Sequence, residues 1–110
     1  MIARGKRRVL GTMNQLEQAF AEELAARKAA GQIAWFKYEG ITLKLADRCR
    51  FTPDFAVLHA DGEMAMYEVK GGFFFEDAKV KLKVAAEMFP FRFHLATRKR
   101  KSDPWSVVEI

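Results

Sequence analysis

The sequence predicts one α/β domain in which helices pack on a mixed central β-sheet, with elements in the order α-β-β-β-α-β. Two segments have the apolar periodicity of amphipathic helices, and the apolar runs between and after them have strand character. The chain has 110 residues, a length typical of one domain that buries its own core. Half of its residues are hydrophobic and 30% are charged, which excludes an intrinsically disordered chain.

The first helix is predicted between a basic N-terminal segment and a glycine. Residues 1–11 are basic and small and are expected to form a flexible arm, so the domain itself comprises residues 12–110. The helix is expected to begin near Thr12 or Asn14 and to end near Ala30. Its buried face is the i, i+4, i+8 series Leu16, Phe20 and Leu24.

Four apolar runs that follow the first helix are predicted as strands. Trp35–Tyr38 and Ile41–Ala46 are bounded by turn-forming residues. Arg50–Ala60 and Glu63–Lys70 flank Asp61-Gly62, a pair typical of hairpin turns. These two longer runs are therefore expected to pair as a central hairpin.

A second helix is predicted from Glu76 to Met88, because apolar residues recur there at helical spacing and Pro90 follows. Phe91–Thr97 is predicted to form another strand, and Val107–Ile110 a short edge strand. The apolar seam of this helix consists of Ala78, Leu82, Ala85 and Phe89.

Composition restricts the compartment and the partners. Cys49 is the single cysteine, so no internal disulfide can form and a reducing, intracellular compartment is expected. No apolar run approaches the roughly 20 residues of a membrane span, so no membrane association is expected. The net charge of +5 favours a polyanionic partner. Gly71-Gly72 lacks the other residues of a phosphate-binding loop, so no nucleotide cofactor is expected.

Charged residues at one end of the predicted hairpin indicate a metal site. Asp54 follows Pro53 on one strand, and Glu68 lies on the other with Lys70 on its own face, because strand side chains alternate. Core packing disfavours unpaired buried charges, whereas Mg²⁺ prefers a few carboxylates with waters and substrate oxygens. Asp54 and Glu68 are therefore the expected metal ligands, with the Val69 carbonyl as a third. Lys70 is expected to assist a water molecule that attacks a phosphodiester.

The alternative is an ordinary solvent-facing Glu-Lys pair, with Asp54 as a turn residue. The register of the hairpin bears on this choice. A two-residue loop at Asp61-Gly62 would place Asp54 opposite Val69, on the other face from Glu68. The metal-site hypothesis therefore requires a loop with an odd number of residues, or a bulge.

The same residues resemble a nuclease signature. The segments "TPDF" and "YEVKG" match the PD-(D/E)XK superfamily through Pro53-Asp54 and Glu68-Val69-Lys70. The order helix, three strands, helix, strand is similar to the restriction-endonuclease-like core of that superfamily. The segments "NQLEQAFAEEL", "TPDFAVL" and "YEVKG", with the lysine-rich helix that follows, also resemble small phage and prophage endonucleases similar to phage Holliday-junction resolvases. This resemblance covers roughly residues 13–97.

The resemblance implies a Mg²⁺-dependent endodeoxyribonuclease, with Mn²⁺ as a substitute, that leaves 5′-phosphates. It implies branched or Holliday-junction DNA as substrate, in the cytoplasm of a bacterial cell or a phage-infected host. A homodimer is expected because a junction resolver cuts two strands. The alternatives are a nuclease of another DNA structure (single strand, flap or nonspecific duplex), a non-catalytic DNA-binding module on the same fold, and an assembly or packaging accessory.

The first helix is expected to supply a further carboxylate. Glu17 lies about 20° from Leu24 on a helical wheel. Glu23 lies equally near Leu16, so spacing alone leaves both open. Asn14-x-x-Glu17 also has the pattern of an N-terminal capping box. The superfamily resemblance implies that Glu17 contributes to the metal shell or positions water.

Basic residues in three segments are the candidate DNA contacts. The arm and the run after the last long strand are expected to bind phosphates without reading sequence, and by resemblance the second helix lies near the substrate. Solvated tails and an ordinary charged helix face are the alternatives. Phe73-Phe74-Phe75 is a candidate for base stacking, for a wedge at a branch point or for a dimer contact, and the alternative is two core side chains and one exposed side chain. His59, His94 and Cys49 are assigned no function. The basic candidates are Lys6, Arg7, Arg8, Lys79, Lys81, Arg98, Lys99, Arg100 and Lys101.

Overall fold

The computed structural model describes residues 12–71 and 76–110, apart from the side chains of residues 76 and 77. The predicted arm (residues 1–11) and the aromatic run Phe73–Phe75 lie outside the described residues. The expectations for Lys6, Arg7 and Arg8 therefore remain predictions.

Two helices and seven strands lie within the described residues. The helices are α1 (Gln15–Ala29) and α2 (Glu76–Met88). The strands are β1 (Ile33–Tyr38), β2 (Leu43–Ala46), β3 (Cys49–Phe51), β4 (Phe55–His59), β5 (Met64–Lys70), β6 (Arg92–Thr97) and β7 (Ser106–Glu109). In this part of the chain neither helix has the length and apolar character needed to cross a bilayer.

Five strands form a mixed sheet in the order β1-β4-β5-β6-β7, and β2 pairs with β3 in a separate two-stranded sheet. Strands β5 and β6 are parallel and are connected through α2, whereas the other neighbours are antiparallel. The prediction of an α/β fold with a mixed sheet is confirmed. The observed order, α-β-β-β-β-β-α-β-β, contains more strands than the expected α-β-β-β-α-β.

The prediction of one continuous strand over Arg50–Ala60 is wrong. The chain leaves β3 after Phe51 and enters β4 at Phe55, so the two halves of this run belong to different sheets. Pro53 lies in the break and is buried. Because proline has no backbone N–H, it cannot donate a ladder hydrogen bond inside a paired strand. The break places Asp54 directly before the first residue of β4.

The large sheet has helices on both faces. On one face, Phe20 and Leu24 of α1 are fully buried against β4 and β5 residues such as Phe55. Leu16, predicted on the same stripe, is partly buried at its edge. On the other face, Leu82 of α2 and the small sheet cover Met66 and its neighbours. The alternating residues of β4 and β5 therefore contribute to two hydrophobic clusters, one on each side.

Candidate metal centre

The β4-β5 hairpin has the odd loop that the metal-site hypothesis requires. Leu58 pairs with Met64, and the His59 N–H donates to the Glu63 carbonyl at 2.9 Å, so three residues form the loop. Gly62, the last of them, has φ +92°, a conformation that favours glycine. Phe55 pairs with Tyr67, and the same register places Asp54 opposite Glu68. Opposed residues point to the same face, so the two carboxylates converge.

Each carboxylate is hydrogen-bonded to the backbone of the opposite strand. The Asp54 N–H donates to Glu68 Oε1 at 2.9 Å, and the Val69 N–H donates to Asp54 Oδ2 at 2.8 Å. A further backbone bond, from the Glu39 N–H to the Asp54 carbonyl at 2.8 Å, ties the same position to the end of β1. These backbone hydrogen bonds hold both carboxylates in place, so the site is preorganised.

Three carboxylates are the only buried charged groups among the residues that the structure describes. Glu17, Asp54 and Glu68 are 5%, 8% and 6% exposed. They are the same three acidic residues that sequence analysis and resemblance selected. Burying several acids near one another is costly unless protons or cations offset their charge. The three buried carboxylates therefore require a proton or a cation that offsets part of their charge.

The pKa values of the hairpin acids reflect this cost. Burial, then the Glu68 charge and then the Glu17 charge raise the pKa of Asp54 from 3.8 to about 8, against the opposing effects of the Val69 N–H and Lys70. Burial also raises the pKa of Glu68, although Lys70 and the hydrogen bonds from Asp54 oppose it. A metal-free site therefore retains a proton near neutral pH, and a divalent cation would compete with that proton.

Lys70 lies beside Glu68, as the alternation of strand residues predicts. Its Nζ atom is 3.8 Å from Glu68 Oε2, and its side chain is 27% exposed. The ammonium group therefore meets both the buried acids and solvent. Lys70 therefore offsets part of the negative charge of Asp54 and Glu68.

Glu17 is held by its own helix and by β1. The capping box is present: the Glu17 N–H donates to Asn14 Oδ1 at 2.8 Å, and the Asn14 N–H donates to Glu17 Oε1 at 3.0 Å. The Tyr38 hydroxyl also donates to Oε1 at 3.0 Å. Glu23, by contrast, pairs with Arg27 at 3.0 Å and is 37% exposed. The structure thus brings Glu17, and not Glu23, into the buried acidic group.

Tyr38 is the site residue that sequence reasoning missed. Tyr38 pairs with Phe55 in the sheet, beside Asp54, and its hydroxyl donates a hydrogen bond to Glu17 on α1. The sequence does not identify Glu17 as the partner of Tyr38, because the two residues are 21 positions apart and on different elements.

The backbone of Val69 faces the acid pair. Its N–H points toward Asp54, and the N–H and C=O of one extended residue point to the same side of a strand. The Val69 carbonyl therefore points to the β4 side as well. Its role as a metal ligand remains a prediction.

The donor set suits a hard divalent cation in part. Asp54 and Glu68 supply carboxylate oxygens, the ligand type that Mg²⁺ prefers, and Mg²⁺ keeps several waters when it binds. Within residues 12–71 and 76–110, however, no three His, Cys, Asp or Glu side chains are grouped closely enough to hold a metal ion together. Whether Glu17 coordinates the metal directly therefore stays a prediction.

The basic candidates that the structure describes lie in two regions. Lys79 and Lys81 are exposed on α2, and Lys81 Nζ donates to the Arg50 carbonyl at 3.2 Å. The run Arg98–Lys101 follows β6 and borders an open cavity of about 500 Å³ along the first half of α1. Only the second region adjoins a helix that also carries a site residue.

The two histidines contact a core tyrosine. His59 Nε2 lies 3.1 Å from the Tyr67 hydroxyl, and the ring of His94 stacks on Tyr67 with 4.7 Å between centroids. Burial is the main cause that lowers the pKa of His94, which favours a neutral ring. Cys49 is a partly buried free thiol at the start of β3.

The chain matches no protein-family model. It also matches no curated protein at a significant level. The nuclease resemblance therefore depends on the residues quoted above, and its functional consequences depend on the geometry of Asp54, Glu68, Lys70 and Glu17.

Proposed function

We propose that this protein is a metal-dependent endonuclease that hydrolyses DNA phosphodiester bonds. The observation that supports this most directly is the burial of Glu17, Asp54 and Glu68, with Lys70 beside Glu68. A binding module that contacts phosphates would gain nothing from buried negative charge at its binding face, since phosphate contacts require positive charge. A hydrolase that uses a divalent cation requires such carboxylates.

The residues have separate roles in this proposal. Asp54 and Glu68 bind the cation, with the Val69 carbonyl as a further ligand, while Lys70 donates a hydrogen bond to the attacking water and offsets charge on the phosphate. Mg²⁺, or Mn²⁺ in its place, supplies Lewis-acid stabilisation of the phosphate charge and activation of water. Glu17, oriented by Tyr38, accepts a hydrogen bond from water at the edge of the site.

The element order also supports the superfamily resemblance. When the small β2-β3 sheet and the edge strand β7 are left aside, the remaining elements run α-β-β-β-α-β. That is the order of the restriction-endonuclease-like core to which the motif is similar. The resemblance carries the finer proposals: branched or Holliday-junction DNA as substrate, 5′-phosphate products, a homodimer and a cytoplasmic location.

The test is cleavage of a labelled four-way DNA junction beside linear duplex and single strand, with Mg²⁺ or with EDTA. Wild type is compared with Lys70→Ala and with Lys28→Ala, a matched lysine substitution in the last turn of α1. We expect Mg²⁺-dependent cutting that Lys70→Ala lowers by about 10²-fold or more, the usual size of a lost acid-base or charge-stabilising group. Lys28→Ala should retain wild-type activity.

The substrates separate the alternatives. Cutting restricted to the branch supports the junction-resolving proposal. Cutting of all three substrates supports a nuclease but contradicts specificity for junctions. Tight binding without cutting, unchanged by EDTA, would leave a non-catalytic DNA-binding module. Sedimentation of the DNA-free protein tests the homodimer independently.

A further inference from the structure

An open cavity of about 580 Å³ adjoins the proposed catalytic lysine and is formed largely by the β6-β7 connection. Its volume lies within the roughly 300–1,000 Å³ of typical ligand sites, enough for one nucleotide unit. Its lining begins at Lys70 and Gly71 at the end of β5. The remaining lining residues come from the end of β6 and the connection to β7: Thr97, Arg98, Lys99, Asp103, Pro104 and Ser106.

The cavity has an excess of positive charge. Among the described lining residues, Lys70, Arg98 and Lys99 are cationic and Asp103 is the one acid. Asp103 already accepts from the Arg100 N–H at 3.2 Å and lies 3.9 Å from Arg100 Nε. Arg98 and Lys99 come from the connection between β6 and β7, and no described acid that lines this cavity forms an ion pair with either of them. An anionic group would be stabilised there.

Arg98 is held in position by aromatic packing, unlike the rest of the basic run. Its guanidinium carbon lies 4.6 Å from the centroid of Trp105, and Trp105 contacts the fully buried Phe20 edge-on at 4.9 Å. A stacked guanidinium loses less side-chain entropy when it binds a phosphate. Arg100, by comparison, has an 81% exposed side chain.

Arg98 and Lys99 also line the neighbouring cavity along α1, so the two cavities share these cations. Together they form a path from Lys70 along the N-terminal half of α1. Arg98 covers the ring of Trp105, and the cations that both cavities share suit backbone phosphates.

We infer that this cavity binds a backbone phosphate of the DNA strand being cut, one or two nucleotides from the scissile bond, with Arg98 as its main contact. The inference rests on the proposed nuclease function. It assigns to Arg98 the placement of the strand against Lys70, and it predicts that this contact is independent of base sequence.

The test uses full-length protein and junction DNA with Ca²⁺ in place of Mg²⁺, and a gel confirms that the DNA remains intact. Affinity is measured at several salt concentrations for wild type, Arg98→Gln and Arg92→Gln. Arg92 is a matched control because it lies at the opposite end of β6, where it pairs with Glu63 and Glu109. Arg98→Gln should weaken binding about tenfold and reduce the salt slope by about one, the values expected for one lost charge-assisted phosphate contact.

A second measurement locates the phosphate. Single neutral methylphosphonates are placed along the strand, and the affinity loss at each position is compared between wild type and Arg98→Gln. The loss should disappear in Arg98→Gln at one position, one or two nucleotides from the cleaved bond. Lys99→Gln alters an exposed side chain, so it keeps the test valid if Arg98→Gln lowers stability. It should weaken DNA binding less than Arg98→Gln does.

The outcomes distinguish the two proposals. If wild type cuts DNA with Mg²⁺ but Arg98→Gln and Lys99→Gln bind like Arg92→Gln, the cavity inference is wrong and the nuclease stands. The same conclusion follows if no methylphosphonate position depends on Arg98. If wild type cuts no substrate, both proposals are overturned.

Discussion

Asp54→Asn is expected to remove a pH-dependent loss of stability from the metal-free protein. The pKa of Asp54 in the folded state is about 8, compared with 3.8 for the unperturbed group. Between these pH values the unfolded chain has released a proton that the folded state retains, so the free energy of unfolding falls as the pH rises. An asparagine retains an oxygen that can accept the Val69 N–H but has no proton to release.

The size of the effect follows from the shift. One pKa unit corresponds to about 1.4 kcal/mol, so a rise of about four units is worth roughly 6 kcal/mol at most. Because Asp54 and Glu68 titrate as a pair, part of this is shared, and we expect about 2–3 kcal/mol between pH 5 and pH 8. In a domain of this size, that corresponds to a fall of roughly 10–20 °C in the melting temperature of wild type relative to Asp54→Asn.

The assay is thermal unfolding followed by circular dichroism from pH 5 to pH 8, in EDTA and in Mg²⁺. Asp61→Asn is the matched control, because Asp61 also accepts a backbone N–H, from Glu63 at 2.9 Å, but is exposed. Its curve should run parallel to that of wild type. At pH 8, Mg²⁺ at 100 times its Kd should raise the free energy of unfolding of wild type by about 2.7 kcal/mol, and that of Asp54→Asn much less.

Two results would refute this reasoning. If the melting temperatures of wild type and Asp54→Asn change in parallel with pH in EDTA, ionisation of buried Asp54 does not destabilise the folded protein as predicted. If Mg²⁺ stabilises both proteins equally, Asp54 is not a metal ligand, and the proposed nuclease loses its principal residue.

Three further substitutions test other parts of the structure by urea unfolding. Tyr38→Phe removes the hydroxyl that donates to Glu17 and should cost about 1 kcal/mol while also slowing cleavage; an unchanged rate would show that orienting Glu17 is unimportant. In Gly62→Ala the added methyl group meets open space, but the backbone at φ +92° is unfavourable for alanine. The substitution should therefore lower the free energy of unfolding by about 1 kcal/mol, and an unaltered urea midpoint would contradict the assigned loop. Phe20→Ala empties a fully buried position beside Trp105 and should cost about 3–5 kcal/mol, so a loss below 1 kcal/mol would disprove this core.

Local patterns in the sequence were enough to predict most elements. The predicted bounds of α2, Glu76 to Met88, agree with the structure, and the face of α1 that carries Phe20 and Leu24 is buried as expected. Helical periodicity and the proline after the helix are local properties, so they can be read without knowing the partners. The continuous strand over Arg50–Ala60 failed because the alternation of residues does not reveal which strand each half pairs with.

The sequence by itself determined that Asp54, Glu68 and Lys70 could meet, on condition that the hairpin loop contained an odd number of residues. Only the tertiary structure decided that condition, through the three-residue loop that ends at Gly62. The burial of Glu17 also depends on the fold, since α1 must pack on the sheet before Tyr38 can reach it. Periodicity specifies which face a residue occupies, but the position of distant elements on that face depends on packing between side chains far apart in the sequence.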